Sequence, residues 1–343
     1  MTALLTSDIH MTASPRDAYR WGLFDWLLGQ VVKLKVHVLI INGDLTDSKD
    51  RHPSALVDRL VRALAALGQK CQVVVLMGNH DYINPENPFF GFVELLPGVV
   101  FATEPVALDC LIADRELPVL FLPSCANPEE EWADLRPTLN DYAYVFCHQT
   151  FRGAVRDNGT KSEEGCSVDF FRGYKGKVFS GDIHVPQRVG LVEYIGAPYR
   201  IDFGDSYTPR VLHIDDKGRQ HDLHFPCPQK HLIEVSAEND IVHTINGGQV
   251  PNAGDQIKVR VTLKRADVVR WPEVRKNIQA HAEAHGLELF GPELRITPEE
   301  NLKAARNAPQ RRGWAEIVQS YAEQAGADAE LAAIGVEIVK SAQ

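Results

Sequence analysis

Five short polar clusters recur along the chain, each directly after an apolar run: Ser7-Asp8-Ile9-His10, Asn42-Gly43-Asp44, Gly78-Asn79-His80-Asp81, His148 and Gly181-Asp182-Ile183-His184. Residues two apart in an extended chain face the same way, so Asp8 with His10 and Asp182 with His184 present paired donors. Taken singly, Asp44 or Asn79 is an ordinary turn former or helix cap, and His148 an ordinary hydrogen-bonded histidine. Together, and in this order at strand ends, they form a donor set. Oxygen and nitrogen donors without thiolates suit manganese, iron, magnesium or zinc, and their number is enough for two ions that share a carboxylate. Two ions roughly 3.5–4 Å apart clamp the attacking and leaving oxygens of an in-line displacement at phosphorus and activate water. The expected chemistry is therefore phosphoester hydrolysis with two divalent ions.

Positioning these clusters requires strands. Apolar runs at Ala3–Thr6, Val36–Ile41 and Gln72–Leu76 alternate with amphipathic stretches at Arg16–Lys33 and Ser54–Leu67, a strand-helix order that implies parallel strands with helical crossovers. Ligands bind at the carboxyl ends of such strands, where the first three clusters fall. Further strands are expected at Val119–Leu122, Tyr142–Cys147, Val178–Ser180, Leu191–Ile195 and Arg210–Ile214, and Gln149–Ser167 reads as a long exposed loop. After Pro226-Cys227-Pro228 the pattern changes to strands at Leu232–Val235, Gln256–Leu263 and Glu288–Ile296 with a helix at Pro272–His285. The expected division is residues 1–226, a small α/β cap at 229–297 and a helical tail at 298–343, with Trp314, Ile317, Val318 and Tyr321 at helical spacing.

The ordered clusters resemble the calcineurin-like metallophosphoesterase superfamily, whose pattern is D-x-H, G-D, G-N-H-[DE], H and G-H-x-H. The resemblance spans roughly the first 215 residues. It implies an α/β fold, a metallophosphoesterase β-sandwich flanked by helices. It also implies that Asp8, His10, Asp44 and His184 bind one ion and that Asp44, Asn79 and His148 bind the other, with Asp44 as the bridge. By the same resemblance His80 assists the leaving group and Asp81 orients the His80 imidazole. Asp182 stands where the family has histidine. A carboxylate there still ligates, adds negative charge and favours a harder ion, manganese above all.

Later segments narrow the substrate. Val185-Pro186-Gln187, Tyr194-Ile195-Gly196-Ala197-Pro198 and Phe203-Gly204-Asp205 resemble segments of the SbcD-type DNA-repair nucleases, which follow the catalytic domain with a small α/β cap. Residues 257–296 hold eight basic against five acidic side chains, a local excess of positive charge. Lys264, Arg265, Arg270 and Trp271 are the expected backbone and stacking contacts to DNA. His52 is a further candidate for the scissile phosphate, at a spacing that departs from the nuclease pattern. The resemblance also implies a coiled-coil ATPase partner docked through the tail. Packing of the tail on its own domain, or a homodimer, fits the same residues.

Composition sets the outer bounds. The chain has 343 residues, 44% of them apolar and 24% charged, as expected of a folded protein with no need of staples. Its six cysteines form no C-x-x-C pair, and no apolar run approaches the ~18 residues of a membrane span, so the expected location is the cytoplasm. A net charge of −10 argues against nucleic acid and for a small phosphoester as the alternative substrate. A nucleic-acid-binding module with a weakened metal site is the other alternative.

Overall fold

The computed structural model describes residues 2–236 and 251–297, with Ala333. The expected tail helix lies outside the described residues. The chain forms two compact units: Met1–Val261 with Trp271–Leu294, and Thr262–Arg270 with Arg295–Gln343.

In the larger unit, β1 (Thr2–Thr6), β2 (Val36–Asn42), β3 (Gln72–Leu76) and β4 (Val99–Ala102) run parallel, joined by α1 (Gly22–Leu34) and α2 (Ser54–Gly68). A second sheet holds β5 (Val106–Ile112), β6 (Arg115–Leu122), β7 (Tyr144–His148), β8 (Lys177–Gly181), β9 (Gln187–Val189) and β10 (Val192–Tyr194). The chain then returns to the first sheet with β11 (Val211–Ile214), antiparallel to β1, and β12 (Gln220–Leu223). The strand orders are β12-β11-β1-β2-β3-β4 and β5-β6-β7-β8-β10-β9.

Alternation along the strands builds three apolar layers. Leu4, Leu39, Ile41, Val73 and Val75 face Leu23, Leu27, Leu60 and Leu64 of the helices. Ala3, Leu5, Val38, Ile40, Val74 and Leu76 point the other way, against Val119, Phe121, Phe146 and Phe179 of the second sheet. The opposite side of that sheet packs Leu120, Val145 and Val178 against Trp132, Phe170 and Phe171. The result is two sheets face to face, flanked by helical segments.

Several expected elements differ in extent. The stretch expected as one helix from Arg16 opens as a 3-10 segment, Pro15–Trp21, with Pro15 at its start, and continues as α1 from Gly22. β5, β9 and β12 lack an uninterrupted apolar run: Asp109 interrupts β5 at the sheet edge, β9 is Gln-Arg-Val, and Gln220–Leu223 is mostly polar; β4 is apolar throughout but only four residues long. The segment expected as an exposed loop, Gln149–Ser167, is folded on itself. Phe151, Ala154, Ser162 and Cys166 are buried, and backbone bonds link Cys166 to Thr150, Ser162 to Ala154 and Arg156 to Thr160.

A third sheet, β13-β14-β15, is made by Lys230–Ser236, Gln256–Leu263 and Glu288–Ile296, with α3 (Pro128–Glu131) in the sandwich and α4 (Trp271–Ala284) before the last strand. Buried Lys230 reaches Asp17 at 3.4 Å and the carbonyl of Ile201 at 2.7 Å, Gln256 donates to the Arg16 carbonyl, and Arg16 lies 4.4 Å from the Phe290 ring.

The inter-sheet layer is tightest at Phe146, fully buried and stacked at 5.4 Å on Phe121 and 5.3 Å on Phe179. Phe146→Ala is expected to lower the free energy of unfolding by about 3–5 kcal/mol, read as a fall in the denaturant midpoint.

Candidate metal centre

The parallel strands β1, β2 and β3 end on the same side as β7 and β8, and the polar clusters meet there. The turns after β1 and β2 run together: Asp8 donates its N–H to Gly43 O, His10 to Asp44 O and Met11 to Leu45 O. Asp8, His10, Asp44 and Asp182 all adopt left-handed backbone, at φ of 53°, 37°, 54° and 78°. Such conformations are costly for a residue with a Cβ and persist where surrounding bonds over-determine them. Here Tyr199 donates its hydroxyl to the Ile9 carbonyl, Arg20 donates to the His10 carbonyl at 2.7 Å, and the Asp182 N–H reaches Asp8 Oδ1 at 3.0 Å.

Three groups of side chains place potential ligand atoms within 4.8 Å of one another: Asp8, His10 and His184; His10, Asp44 and His80; Asp8, Asp44 and His148. Asp8 and Asp44 recur because they lie between the histidines. His148 donates Nδ1–H to the Asn42 carbonyl at 2.8 Å, which leaves the Nε2 lone pair facing Asp44 Oδ1 at 3.4 Å. Three glycines give this ring its space: a Cβ at Gly43, Gly78 or Gly181 would run into His148 or Asp44. His10 Nε2 and His184 Nε2 face each other at 3.2 Å, and Asp157 Oδ2 stands 2.9 Å from the far nitrogen of His184.

The donor chemistry fits divalent cations. Asp8 Oδ2, Asn79 Oδ1 and His148 Nε2 are buried without a hydrogen-bond partner, each an unspent lone pair. Burial pushes the Asp8 carboxyl up, whereas the histidines around Asp44 overcome its burial and hold it well below the usual carboxylate range. Burial opposes charge on His184, yet Asp157 and Asp8 outweigh it and push the imidazole up to about 9. A cation at this position competes with that proton.

Residues 1–186 match the calcineurin-like phosphoesterase family. The chain belongs to that family. Among solved structures this phosphoesterase is similar to Yfce, a phosphoesterase from E. coli, at 14% identity and TM-score 0.32, over 63% of this chain and 88% of that one. It is also similar to GAP50, the anchor in the inner membrane complex of Plasmodium, at 10% identity and TM-score 0.39, over 73% and 96% of the two chains. A third is the cold-active protein-tyrosine phosphatase of a psychrophile Shewanella species, at 14% identity and TM-score 0.30, over 65% and 80%. No curated protein matches the chain.

The other expected site residues of the phosphoesterase divide. Asn79 and Asp182 stand together, the Asn79 amide 3.3 Å from Asp182 Oδ1, and Asp182 Oδ2 accepts from the Thr150 hydroxyl. His80 bonds through its N–H to Asp44 Oδ1 at 2.8 Å, and its Nδ1 pairs with the Asp47 carbonyl at 2.8 Å. Asp81 therefore does not orient the His80 ring. Its carboxylate is buried and accepts the backbone N–H groups of Asp44, Leu45 and Gly78, so it shapes the turns that carry Asp44 and Asn79. His52 is likewise absent from the ligand groups. Its ring packs on Phe89 and Phe90 at 4.5 and 4.9 Å, apolar partners that a sequence position in a polar run does not disclose.

In the other unit, Lys264, Arg265 and Arg270 are exposed, around a 3-10 turn at Arg265–Arg270; in the larger unit, Trp271 opens α4 half-buried. Within the basic stretch Glu293 takes Lys258 at 2.5 Å and Arg260 at 2.8 Å. Among the described residues no helix is long and apolar enough to cross a membrane.

Asp157, Thr150, Arg20 and Tyr199 escaped the sequence reading. Thr150, Asp157 and Tyr199 act through partners distant along the chain, and Arg20, inside an amphipathic stretch, acts on a backbone carbonyl that its position does not disclose. Asp157→Ala is expected to weaken manganese binding by about 10- to 100-fold, measured by calorimetric titration of the metal-stripped protein. Asp81→Asn turns an amide N–H toward backbone donors and is expected to lower stability by about 1–3 kcal/mol. Chemical denaturation of the metal-free protein reads this directly; unchanged stability would show that the three backbone bonds do not depend on the carboxylate charge.

Proposed function

We propose that this phosphoesterase is a divalent-metal-dependent DNA nuclease, with manganese the ion best suited to its carboxylate-rich donor set. Hydrolysis rests on one observation above all: His80 sits against Asp44 in a cluster whose Asp8, His10 and Asp44 ligand atoms are shared between neighbouring groups. Asp8, His10, Asp44 and His184 would hold one ion, and Asp44, Asn79 and His148 the other, with Asp182 alongside. Such ions supply Lewis-acid polarisation of the phosphoryl oxygen and a nucleophile at neutral pH. His148 keeps its Nε2 lone pair inward because Asn42 holds Nδ1–H. His80 donates Nδ1–H to the Asp47 carbonyl, which aims Nε2 outward; protonated on both nitrogens, the ring would give its Nε2 proton to the departing oxygen.

DNA as the substrate is supported by the Val185-Pro186-Gln187, Tyr194-to-Pro198 and Phe203-Gly204-Asp205 segments and by the third sheet that follows them. Lys264, Arg265, Arg270 and Trp271 are the residues we propose for backbone contact and stacking. A small phosphoester is the second reading, favoured by the net charge of −10 and by the pairing of Lys258 and Arg260 with Glu293.

End-labelled linear DNA incubated with manganese, magnesium and zinc in parallel separates the two, with a chromogenic phosphodiester as control. Metal-dependent cleavage is expected, and His80→Ala is expected to lower kcat by about 10²–10⁴-fold. Turnover of the chromogenic ester with intact DNA would establish the small-molecule reading, and DNA binding without turnover at any metal would make the protein a binding module.

A further inference from the structure

A cavity of about 370 Å³ opens beside the metal-facing side chains, lined by Asn79, Thr150, Arg156, Asp157, Asp182, Ile183 and His184. Arg156 is the one lysine or arginine in this lining, which also holds the carboxylates of Asp157 and Asp182. Its guanidinium has five N–H donors, and its side-chain partner among the described residues is the neutral Ser162 hydroxyl, at 3.2 Å. Arg152 of the same segment, by contrast, is spent on Glu129 at 2.9 Å and on the Gly165 carbonyl.

The backbone that presents Arg156 is held on both sides. Gln187 clamps Val155, accepting from its N–H and donating to its carbonyl, both at 2.7 Å. Asp157 is tied to His184 at 2.9 Å. Further back, the Tyr194 hydroxyl accepts from the Phe151 N–H at 2.7 Å and donates to the Gln149 carbonyl at 3.1 Å. Arg156 itself closes a turn, donating its N–H to Thr160 O and accepting from Gly159 N–H, both at 2.8 Å. The backbone is thus held in place, and the exposed Arg156 guanidinium keeps unspent donors for an anion at the cavity.

We infer that Arg156 binds a non-bridging oxygen of the reacting phosphate, so that residues 149–167 form a substrate-positioning strap. The inference rests on the phosphoester reading and not on DNA as the substrate. Charge-assisted hydrogen bonds of this kind are worth about 10- to 100-fold in binding. An arginine fork also fits a phosphate better than a lysine point charge does.

The probe is inorganic phosphate, titrated by calorimetry into the manganese-loaded protein, with metal affinity of each variant measured alongside. Arg156→Ala and Arg156→Gln are expected to weaken phosphate binding by about 10- to 100-fold, Arg156→Lys by less, with manganese affinity unchanged in all three. Lys161→Ala removes a cation of the same strap outside the cavity lining and is expected to leave phosphate affinity as it is. On the chromogenic ester the loss should fall in KM. Phosphate that binds Arg156→Ala as tightly as wild type, a Gln variant equal to Lys, or wild type that takes up manganese yet binds no phosphate overturns the inference. Intact DNA with normal phosphate binding and ester turnover sinks only the nuclease reading.

Discussion

Three carboxylates at the seam of two sheets govern this structure: Asp8, Asp44 and Asp81 are 0%, 2% and 0% exposed, and among the described residues no lysine or arginine pairs with them. A buried charge without compensation costs several kcal/mol. Asp81 is compensated by three backbone N–H groups, and that demand sets the course of the turns after β2 and β3. Asp8 and Asp44 are met by imidazoles whose orientations are fixed from behind, His148 by Asn42 and His184 by Asp157. The left-handed turns, the crowded glycines and the braces from Arg20 and Tyr199 all serve to keep these two anions beside each other. Such an arrangement is most stable with divalent cations between them.

Legibility followed the range over which each signal acts. The clusters at Asp8, Asp44, His80, His148 and His184 could be read because each follows an apolar run, and a strand end is a local property of the chain. The central strands were readable for the same reason, since residues such as Val73–Leu76 are buried on both faces. Edge strands were not: Gln220–Leu223 owes its extended form to pairing with β11 and not to its own side chains. The roles of Asp81 and His52 turned on partners. Asp81 adjoins His80 in the chain but bonds to backbone across the seam, and His52 lies in a polar run whose neighbours in space are phenylalanines. Likewise the polar, glycine-punctuated run from Gln149 shows no periodicity, and its order comes from Tyr194 and Gln187 outside it.

Those braces give the segments between Val185 and Asp205 a concrete physical content. Gln187 and Tyr194 hold the strap, Gly196 at φ 79° packs its bare Cα on Pro186, and Asp205 accepts the N–H groups of Ile201 and Asp202 while Phe203 meets Phe290 at 4.6 Å. None of these side chains is itself a ligand atom in the clusters. Their common effect is to place loops around the metal-facing groups, which is compatible with more than one phosphoester.

The link between Lys230 and Asp17 bears on whether the chain can be divided. Asp17 also takes Arg20 at 3.2 Å, and Arg20 holds the carbonyl of His10. A protein shortened to end at Pro228 would keep every residue of the ligand clusters. It would still expose the Phe203 ring, strip Asp17 and the Ile201 carbonyl of the Lys230 ammonium, and leave Arg20 to settle alone between them. The first strand of the third sheet is thus joined to a metal-facing histidine through a relay of charges, from Lys230 to Asp17, to Arg20 and to the His10 carbonyl.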